Sequence, residues 1–261
     1  MASPEVPFHI VIPARYGSSR LPGKPLAPLG DAPMVIQAWR RGQAAGAESV
    51  VIATDDARIE AVAREYGADV ELTDPNHVSG TDRIEEVARR RGWAAETIVV
   101  NLQGDEPCVP AAVLRQVAAN LAHSGAAMAT LCEPLTTAEA FRDPSVVKVV
   151  MNEAGLALYF SRAPIPWPRN AVAAEGDRAL PSPVWRHLGL YAYRVGLLQR
   201  FVAWPPAPLE RLESLEQLRV LAYGETIHVA PACAPVPGGV DTPEDLARLQ
   251  AQWAELGGEP S

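Results

Sequence analysis

Three cations, Arg15, Arg20 and Lys24, fall within ten residues of one another in Pro13-Ala14-Arg15-Tyr16-Gly17-Ser18-Ser19-Arg20-Leu21-Pro22-Gly23-Lys24-Pro25, directly after the apolar run Ile10-Val11-Ile12. Positive charge of that density needs an anion. The glycines permit close approach and positive φ, so that backbone N–H groups can point inward as a nest. A triphosphate answers both features, each charge-assisted hydrogen bond contributing about 1.5–3 kcal/mol. Solvated cations on a surface loop are the plainer reading. The segment is not a Walker A loop, because Pro25 follows Lys24 where Ser or Thr is required, and the chain has no G-x-G-x-x-G. Lys24 and Lys148 are the two lysines among 23 Lys and Arg residues. Either chance or a need for a compact ammonium explains their survival in so arginine-rich a chain.

Carboxylates stand at two further points. Asp105, in Gln103-Gly104-Asp105-Glu106-Pro107, follows the apolar run Thr97–Leu102. A hard oxygen donor beside a triphosphate suits Mg²⁺, which takes one or two carboxylates plus phosphate oxygens and water; a turn residue before Pro107 is the alternative. Asp241 lies in Gly238-Gly239-Val240-Asp241-Thr242-Pro243-Glu244-Asp245. Helix capping competes for it, yet Thr242 as N-cap, Pro243 as first helical residue and Asp245 three places after the cap account for the helix start. Asp241 is then available as a second ligand.

The elements that must position these groups are read from periodicity. Phe8–Ile12, Ser49–Ala53 and Thr97–Leu102 read as buried strands, and Met34–Ala45, Ala57–Tyr66, Asp82–Arg91 and Pro110–Ala122 as helices. Repeated β-α units of this kind predict a mostly parallel sheet covered on both faces, a three-layer α/β/α Rossmann-like fold with its ligands beyond the carboxyl ends of the strands. Beyond Met128 the strand-like runs Val146–Met151, Ala157–Phe160 and Leu188–Tyr193 are interrupted by the proline-rich stretch Ala163–Pro183. They read as a lobe inserted at about 133–195 in a single domain spanning 1–261. A long helix at Glu210–Tyr223, a strand at Ile227–Val229 and a closing helix after Pro243 complete the expectation.

Composition narrows the class. At 261 residues and 48% hydrophobic content the chain can bury a substantial core. A net charge of -8 disfavours nucleic acid as a partner, so a phosphate ligand must be met by a local basic cluster. Cys108, Cys132 and Cys233 form no C-x-x-C pair or zinc-site spacing and are expected as buried small apolar residues. No run approaches the ~20 apolar residues of a membrane span, and the N-terminus has no basic segment followed by an apolar one, so cytoplasm is the expected compartment.

Ile12-Pro13-Ala14-Arg15 followed by Ser19-Arg20-Leu21-Pro22-Gly23-Lys24-Pro25-Leu26 resembles the CTP loop of the cytidylyltransferases that activate acidic sugars, the CMP-Kdo synthetases above all (Kdo is 3-deoxy-manno-octulosonate). The resemblance runs from about Phe8 to Leu249. It implies a nucleotidyltransferase sheet, a sugar-binding and dimerising lobe, CTP and Kdo as substrates and a homodimer, with Trp167 and Trp185 in the lobe. It implies that Arg15, Lys24, Asp105 and Asp241 carry catalysis, the two aspartates holding magnesium, and that Arg20 joins the phosphate ligands. Ser79, Gly80 and Arg83 of His77-Val78-Ser79-Gly80-Thr81-Asp82-Arg83, with the backbone near Ala14, would read the cytosine. Arg162 would bind the sugar carboxylate; His187, Tyr191, Glu216 and Gln217 would bind its hydroxyls, and Gln103 would reach it from the nucleotide side.

Taken alone, these residues have plainer readings. Ser79 or Thr81 caps a helix, Arg83 is a solvated helix residue, and His187 is a satisfied structural histidine. Alternation places His187, Gly189, Tyr191 and Tyr193 on one strand face, and helical spacing places Glu213, Glu216 and Gln217 in one polar patch, whose plainer reading is a solvated face. His9, His123 and His228 have no such support and read as structural or solvent-facing.

The implied reaction is in-line attack of the Kdo C2 hydroxyl on the α-phosphorus of CTP, releasing pyrophosphate and activating Kdo for lipopolysaccharide synthesis. No activated-nucleophile motif points to a covalent intermediate, and no residue stands out as a general base. The competing readings are a sibling enzyme acting on sialic acid or another 3-deoxy-ulosonate, a nicotinamide oxidoreductase, which the absent glycine fingerprint opposes, and a non-catalytic nucleotide-binding regulator, which the two aspartates oppose.

Overall fold

Strand β1 (His9–Ala14) is apolar on both faces, and the two faces go to different cores. Ile10 and Ile12 pack with Val35, Ile36, Leu114 and Val117, whereas Val11 packs with Val51, Ile84 and Val87. A strand buried on both sides belongs in the middle of a parallel sheet between two helical layers. The computed structural model describes residues 6–17, 21–169, 180 and 184–255. Arg20 and most of the proline-rich stretch lie outside the described residues.

From β1 the chain passes through a 3-10 turn at Lys24–Leu26, the short strands β2 (Pro28–Leu29) and β3 (Ala32–Pro33), helix α1 (Met34–Ala44), β4 (Ser49–Thr54), α2 (Ala57–Glu65) and β5 (Asp69–Leu72). It then forms α3 (Gly80–Arg90), β6 (Ile98–Asn101), α4 (Ala111–Ser124), β7 (Met128–Pro134), α5 (Ala138–Arg142) and the hairpin β8 (Lys148–Met151) with β9 (Ala157–Ser161). The last part comprises β10 (Trp185–Arg194), α6 (Val195–Ala203), α7 (Pro208–Glu213), α8 (Gln217–Ala222), β11 (Ile227–Pro231) and α9 (Pro243–Glu255). Helices α1, α2 and α4 cover one face of the sheet, and α3, α6 and α8 the other. This is the expected three-layer α/β/α arrangement.

The nine-stranded sheet is ordered β11-β7-β10-β6-β1-β4-β5, with the β8–β9 hairpin attached to β10. Every strand along that order except β10 runs in one direction. The chain moves outward from β1 to β4 and β5 and then returns to β6 on the other side of β1. Connections after β1 and β6 therefore diverge, and a crevice opens at their carboxyl ends, the usual ligand position in open α/β sheets. Of the residues read as an inserted lobe, β10 is threaded between β6 and β7, while the hairpin meets β10 at Trp185 and Arg186.

One expected element differs. The helix read at Glu210–Tyr223 is two helices, α7 and α8, parted at Ser214, whose φ of 51° and ψ of 48° are left-handed. The cause lies elsewhere in the chain: Arg162 Nε donates to Glu213 O at 2.7 Å and Nη2 to Ser214 O at 3.4 Å. Carbonyls that a continuous helix would have bonded internally are taken by a guanidinium.

The closing helix starts as its sequence dictates. Thr242 Oγ1 accepts from Asp245 N at 3.1 Å while Asp245 Oδ2 accepts from Thr242 N at 3.0 Å, a reciprocal cap. Trp253 of α9 then packs on Leu29, Met34 and Val240. Gly30 makes room for it: φ is +64°, and a Cβ there would lie 2.5 Å from Trp253 Nε1.

Candidate active site

The crevice holds a cleft of about 420 Å³ walled by three strand-end or helix-start segments. β1 delivers Pro13, Ala14 and Arg15, β6 delivers Gln103, Gly104 and Asp105, and the start of α3 delivers Ser79 and Gly80, with Lys24 and Asp241 completing the wall. The loop after β1 turns back on itself, Gly23 N donating to Tyr16 O at 3.0 Å, with Gly23 at φ +73°. Arg15 is aimed by its Nη2, which donates to His77 O at 2.6 Å. The His77 ring is held in turn by Glu86, 2.6 Å from its Nε2.

Lys24 Nζ donates to Asp105 Oδ2 and to Val240 O at 2.9 Å, and lies 3.4 Å from Asp241 Oδ1. The two candidate metal aspartates thus meet at one ammonium. Val240 N donates to Asp105 O at 3.0 Å, lacing the loop before α9 to the loop after β6. Gly239 permits that approach, since a Cβ there would lie 3.3 Å from Glu106 Cγ and 3.5 Å from Asp105 O. A third carboxyl, that of Glu106, is buried behind the pair. Burial, and then the charges of Asp105 and Asp241, push the Glu106 carboxyl up to about 8, with Lys24 acting in the opposite sense. Glu106 Oε2 is buried with no hydrogen-bond partner among the described residues. Among those residues no cluster of three or more His, Cys, Asp or Glu could hold a metal by itself. Asp105 and Asp241 are the groups that could hold one jointly with a ligand's oxygens.

Two further cavities of mixed polar and apolar lining share walls with this cleft. The inner one, about 180 Å³, is lined by Thr81, Asn101, Gln103, Tyr191, Tyr193, Glu216 and Gln217 over an apolar floor of Met128, Phe201 and Val220. The other, about 540 Å³, includes Glu106, Ser145, Arg186, His187, Tyr191, Gln217 and Asp241. Gln103 faces the cleft and the inner cavity, Asp241 the cleft and the larger cavity, and Tyr191 and Gln217 both cavities.

The polar groups on these walls have assignable states. Thr130 Oγ1 lies 2.9 and 2.8 Å from the carbonyls of Leu188 and Leu190 and 3.0 Å from His187 Nε2. Its one proton goes to a carbonyl, so Thr130 accepts from His187 Nε2–H, and the ring keeps Nδ1 as an acceptor. Burial, then the Arg186 charge, lower the His187 pKa to about 3, so the ring is neutral. The register of β10 shifts between Leu188 and Tyr191 at the same place, a bulge that carries Gly189. His187, Tyr191 and Tyr193 nonetheless stay adjacent, with ring centroids 5.4 and 5.9 Å apart along the series. Burial raises both tyrosines, so they stand as phenol donors. Glu216 accepts from the Thr81 hydroxyl, and burial raises its carboxyl. Gln217 Nε2 is buried between the two cavities with no hydrogen-bond partner among the described residues.

Ala14, Arg15, Lys24, Ser79, Gly80, Gln103, Asp105, Asp241, His187, Tyr191, Glu216 and Gln217 therefore assemble around connected walls. Arg20 lies outside the described residues. Arg83 requires a correction: it is neither solvated nor on the cleft wall. Its side chain is 0% exposed, 3.0 Å from Asp55 Oδ2 and donating to Thr73 Oγ1. Buried one turn into α3, it supports the cleft from behind.

Arg162 also stands elsewhere than expected. It lines none of the three cavities; its guanidinium donates to the carbonyls of Pro144, Glu213 and Ser214. Glu213 leaves the expected helical patch because α7 ends there, and it accepts from Ser161 Oγ at 2.6 Å and Arg162 N at 2.9 Å. Cys233 is exposed where a buried cysteine was expected, on the segment after β11 that Gln116 pins to the surface of α4.

Sequence reasoning missed Thr130, Asn101, Glu106, Arg186 and the His77–Glu86 pair. Only Glu106 carried a signal, its place beside Asp105. His9, His123 and His228 stay outside the three cavities, His9 stacking on Trp93 at 4.2 Å.

The described family Cytidylyltransferase matches residues 9–227. A 3-deoxy-manno-octulosonate cytidylyltransferase of Cellvibrio japonicus (strain Ueda107) is 58% identical over 247 residues, covering 94% of this chain and 97% of that one. The enzyme of the same name from Pseudomonas syringae pv. tomato is 57% identical over 246 residues, covering 93% and 96%. Among solved structures, a CMP:2-keto-3-deoxy-manno-octonic acid synthetase complexed with CTP superposes with a TM-score of 0.86 at 41% identity, covering 96% of this chain and 99% of that one. Sequence and architecture agree over nearly the whole length: the chain belongs to the cytidylyltransferase family, alongside the 3-deoxy-manno-octulosonate cytidylyltransferases that it matches.

Proposed function

We propose that this cytidylyltransferase transfers the cytidylyl group of CTP to Kdo, giving CMP-Kdo and pyrophosphate. The observation that carries the reading is the meeting of Arg15, Lys24, Asp105 and Asp241 at one crevice whose walls continue into cavities lined by His187, Tyr191, Glu216 and Gln217. The names of the relatives and of the CTP-bound neighbour support the same substrates.

Transfer of this kind rests on positioning and electrostatics. Arg15 and Lys24 receive the phosphates and offset charge building on the departing pyrophosphate. Ala14, Ser79 and Gly80 take the base. On the sugar side, His187 offers Nδ1 to a hydroxyl, Tyr191 offers its phenol proton, and Gln103, Glu216 and Gln217 bind further hydroxyls. Arg162 shapes that side through the carbonyls it holds.

The residues present fit magnesium. Two hard carboxylates converge at one point, and the buried Glu106 oxygen beside them has no hydrogen-bond partner among the described residues, a donor set that suits a hard divalent cation. Asp105 and Asp241 would hold it. When bound, the ion offsets charge at the α-phosphate and lowers the cost of deprotonating the attacking hydroxyl.

The working form is a homodimer, supported by the exposure of Leu158 on β9 (61%) and of Trp167 (63%). The step belongs to the cytoplasmic stage of lipopolysaccharide assembly; among the described residues no helix is long and apolar enough to cross a membrane. Mass analysis of the product formed from CTP and Kdo tests the reading: CMP-Kdo is expected, and CMP alone would replace transfer by hydrolysis.

A further inference from the structure

Lys148 opens β8 and is fully buried. Among the described residues its ammonium touches no carboxylate and instead donates to three carbonyls, Asp143 O at 2.9 Å, Val146 O at 2.6 Å and Arg162 O at 2.5 Å. Three donors meet three acceptors, which satisfies the ammonium in full. A compact ammonium with three rotatable donors suits three carbonyls that converge on one point.

The carbonyls belong to two segments that meet where β8 pairs with β9, Lys148 standing opposite Ser161. The first runs from Asp143 to Val147; its Ser145, Val146 and Val147 line the larger sugar-side cavity, and Val147 O accepts from His187 N at 2.8 Å. The second is Arg162, whose backbone N–H and guanidinium hold Glu213 and Ser214, and Leu215 and Gln217 on the same cavity wall follow directly. Arg162 also reaches back to Pro144 O at 3.0 Å, closing the connection.

We propose that Lys148 is a positioning residue for the sugar substrate, setting sugar affinity by holding both walls of the larger cavity together without touching the sugar. The proposal rests on the reading of cytidylyl transfer to Kdo. None of the residues that Lys148 and Arg162 hold, Asp143, Pro144, Val146, Glu213 and Ser214, lines the cleft assigned to the nucleotide.

The test is steady-state kinetics on full-length Lys148→Met, with CTP affinity measured separately by calorimetry. The Kdo KM is expected to rise about ten- to hundredfold, as misplaced positioning groups do, while the CTP dissociation constant stays within about twofold of wild type and kcat at saturating Kdo within about threefold. A purely structural lysine would lower thermal stability and the active fraction but leave the Kdo KM unchanged, and that result overturns the proposal. Equal losses of CTP and Kdo affinity overturn it as well. If Lys148→Met does not fold, Glu213→Gln decides by the same split, since it keeps the ammonium but weakens the hold on Ser161 and Arg162. Wild-type protein that releases no pyrophosphate with Kdo would instead defeat the parent reading.

Discussion

Lys24 and Asp241 are 217 positions apart, yet the lysine ammonium lies 3.4 Å from the aspartate carboxylate. The loop after β1 and the loop before α9 meet there over Asp105, which accepts from the same ammonium. The Lys24 ammonium thus stands between the two carboxylates proposed to hold a divalent cation.

Lys24→Gln should therefore strengthen Mn²⁺ binding to the nucleotide-free protein, because the cation no longer competes with an ammonium, while Asp105→Asn and Asp241→Asn should weaken it. Turnover in Lys24→Gln should fall by roughly 10²–10³ through loss of a charge-assisted contact to the leaving phosphates. Electron paramagnetic resonance titration of Mn²⁺ measures the first effect. Arg15→Gln supplies a control for net charge, since Arg15 bonds to His77 O and not to the carboxylates.

Gly239→Ala places a methyl 3.3 Å from Glu106 Cγ and 3.5 Å from Asp105 O, so either the buried Glu106 side chain or the loop bearing Asp241 must give by a few tenths of an ångström. A roughly tenfold loss of kcat is expected from misplacing the Asp241 carboxylate. Melting temperature should change little, because the segment is a surface loop outside the sheet.

His187 has a pH signature. Its folded pKa, lowered to about 3, lies below the ordinary value of 6.5, so the unfolded chain takes up the proton first. The stability it contributes is complete above pH 6.5 and declines as pH falls toward 3, by about 1.4 kcal/mol per pH unit for one proton. Denaturant unfolding at pH 7.5 and 5 should show a smaller difference for His187→Gln than for wild type. The same variant should raise the Kdo KM and leave the CTP KM near its starting value.

Ser214 is the described non-glycine residue at positive φ. Ser214→Gly should stabilise the fold by about 0.5–1 kcal/mol, the left-handed penalty being partly offset by added freedom in the unfolded chain. Ser214→Val should destabilise it. Chemical denaturation of the two variants gives the comparison.

What could be read in the sequence was what neighbours along the chain decide. The cationic loop was legible because charge and glycine sit directly after a buried run, and Asp241 because Thr242 and Asp245 account for the helix cap, as their two reciprocal hydrogen bonds bear out. Periodicity also placed β1, β4 and β6 and the helices around them. The break at Ser214 was hidden, since Arg162, its cause, lies about fifty positions away. Arg83 shows the same limit: helical spacing places it on α3, but only packing against Asp55 and Thr73 reveals that it is buried. The neutral tautomer of His187 depends on Thr130 and on the bulge in β10, neither of which has a local pattern. The sugar-binding roles proposed for Glu216 and Gln217 came from resemblance, because helical spacing alone reads them as a solvated patch.

The most direct test is pyrophosphate release from CTP with magnesium, measured in parallel with Kdo, with N-acetylneuraminic acid and with no sugar, beside a metal-free control. Release confined to the mixture of Kdo and metal is the predicted result. Release with the sialic acid and not with Kdo, or equal release without any sugar, would contradict the account.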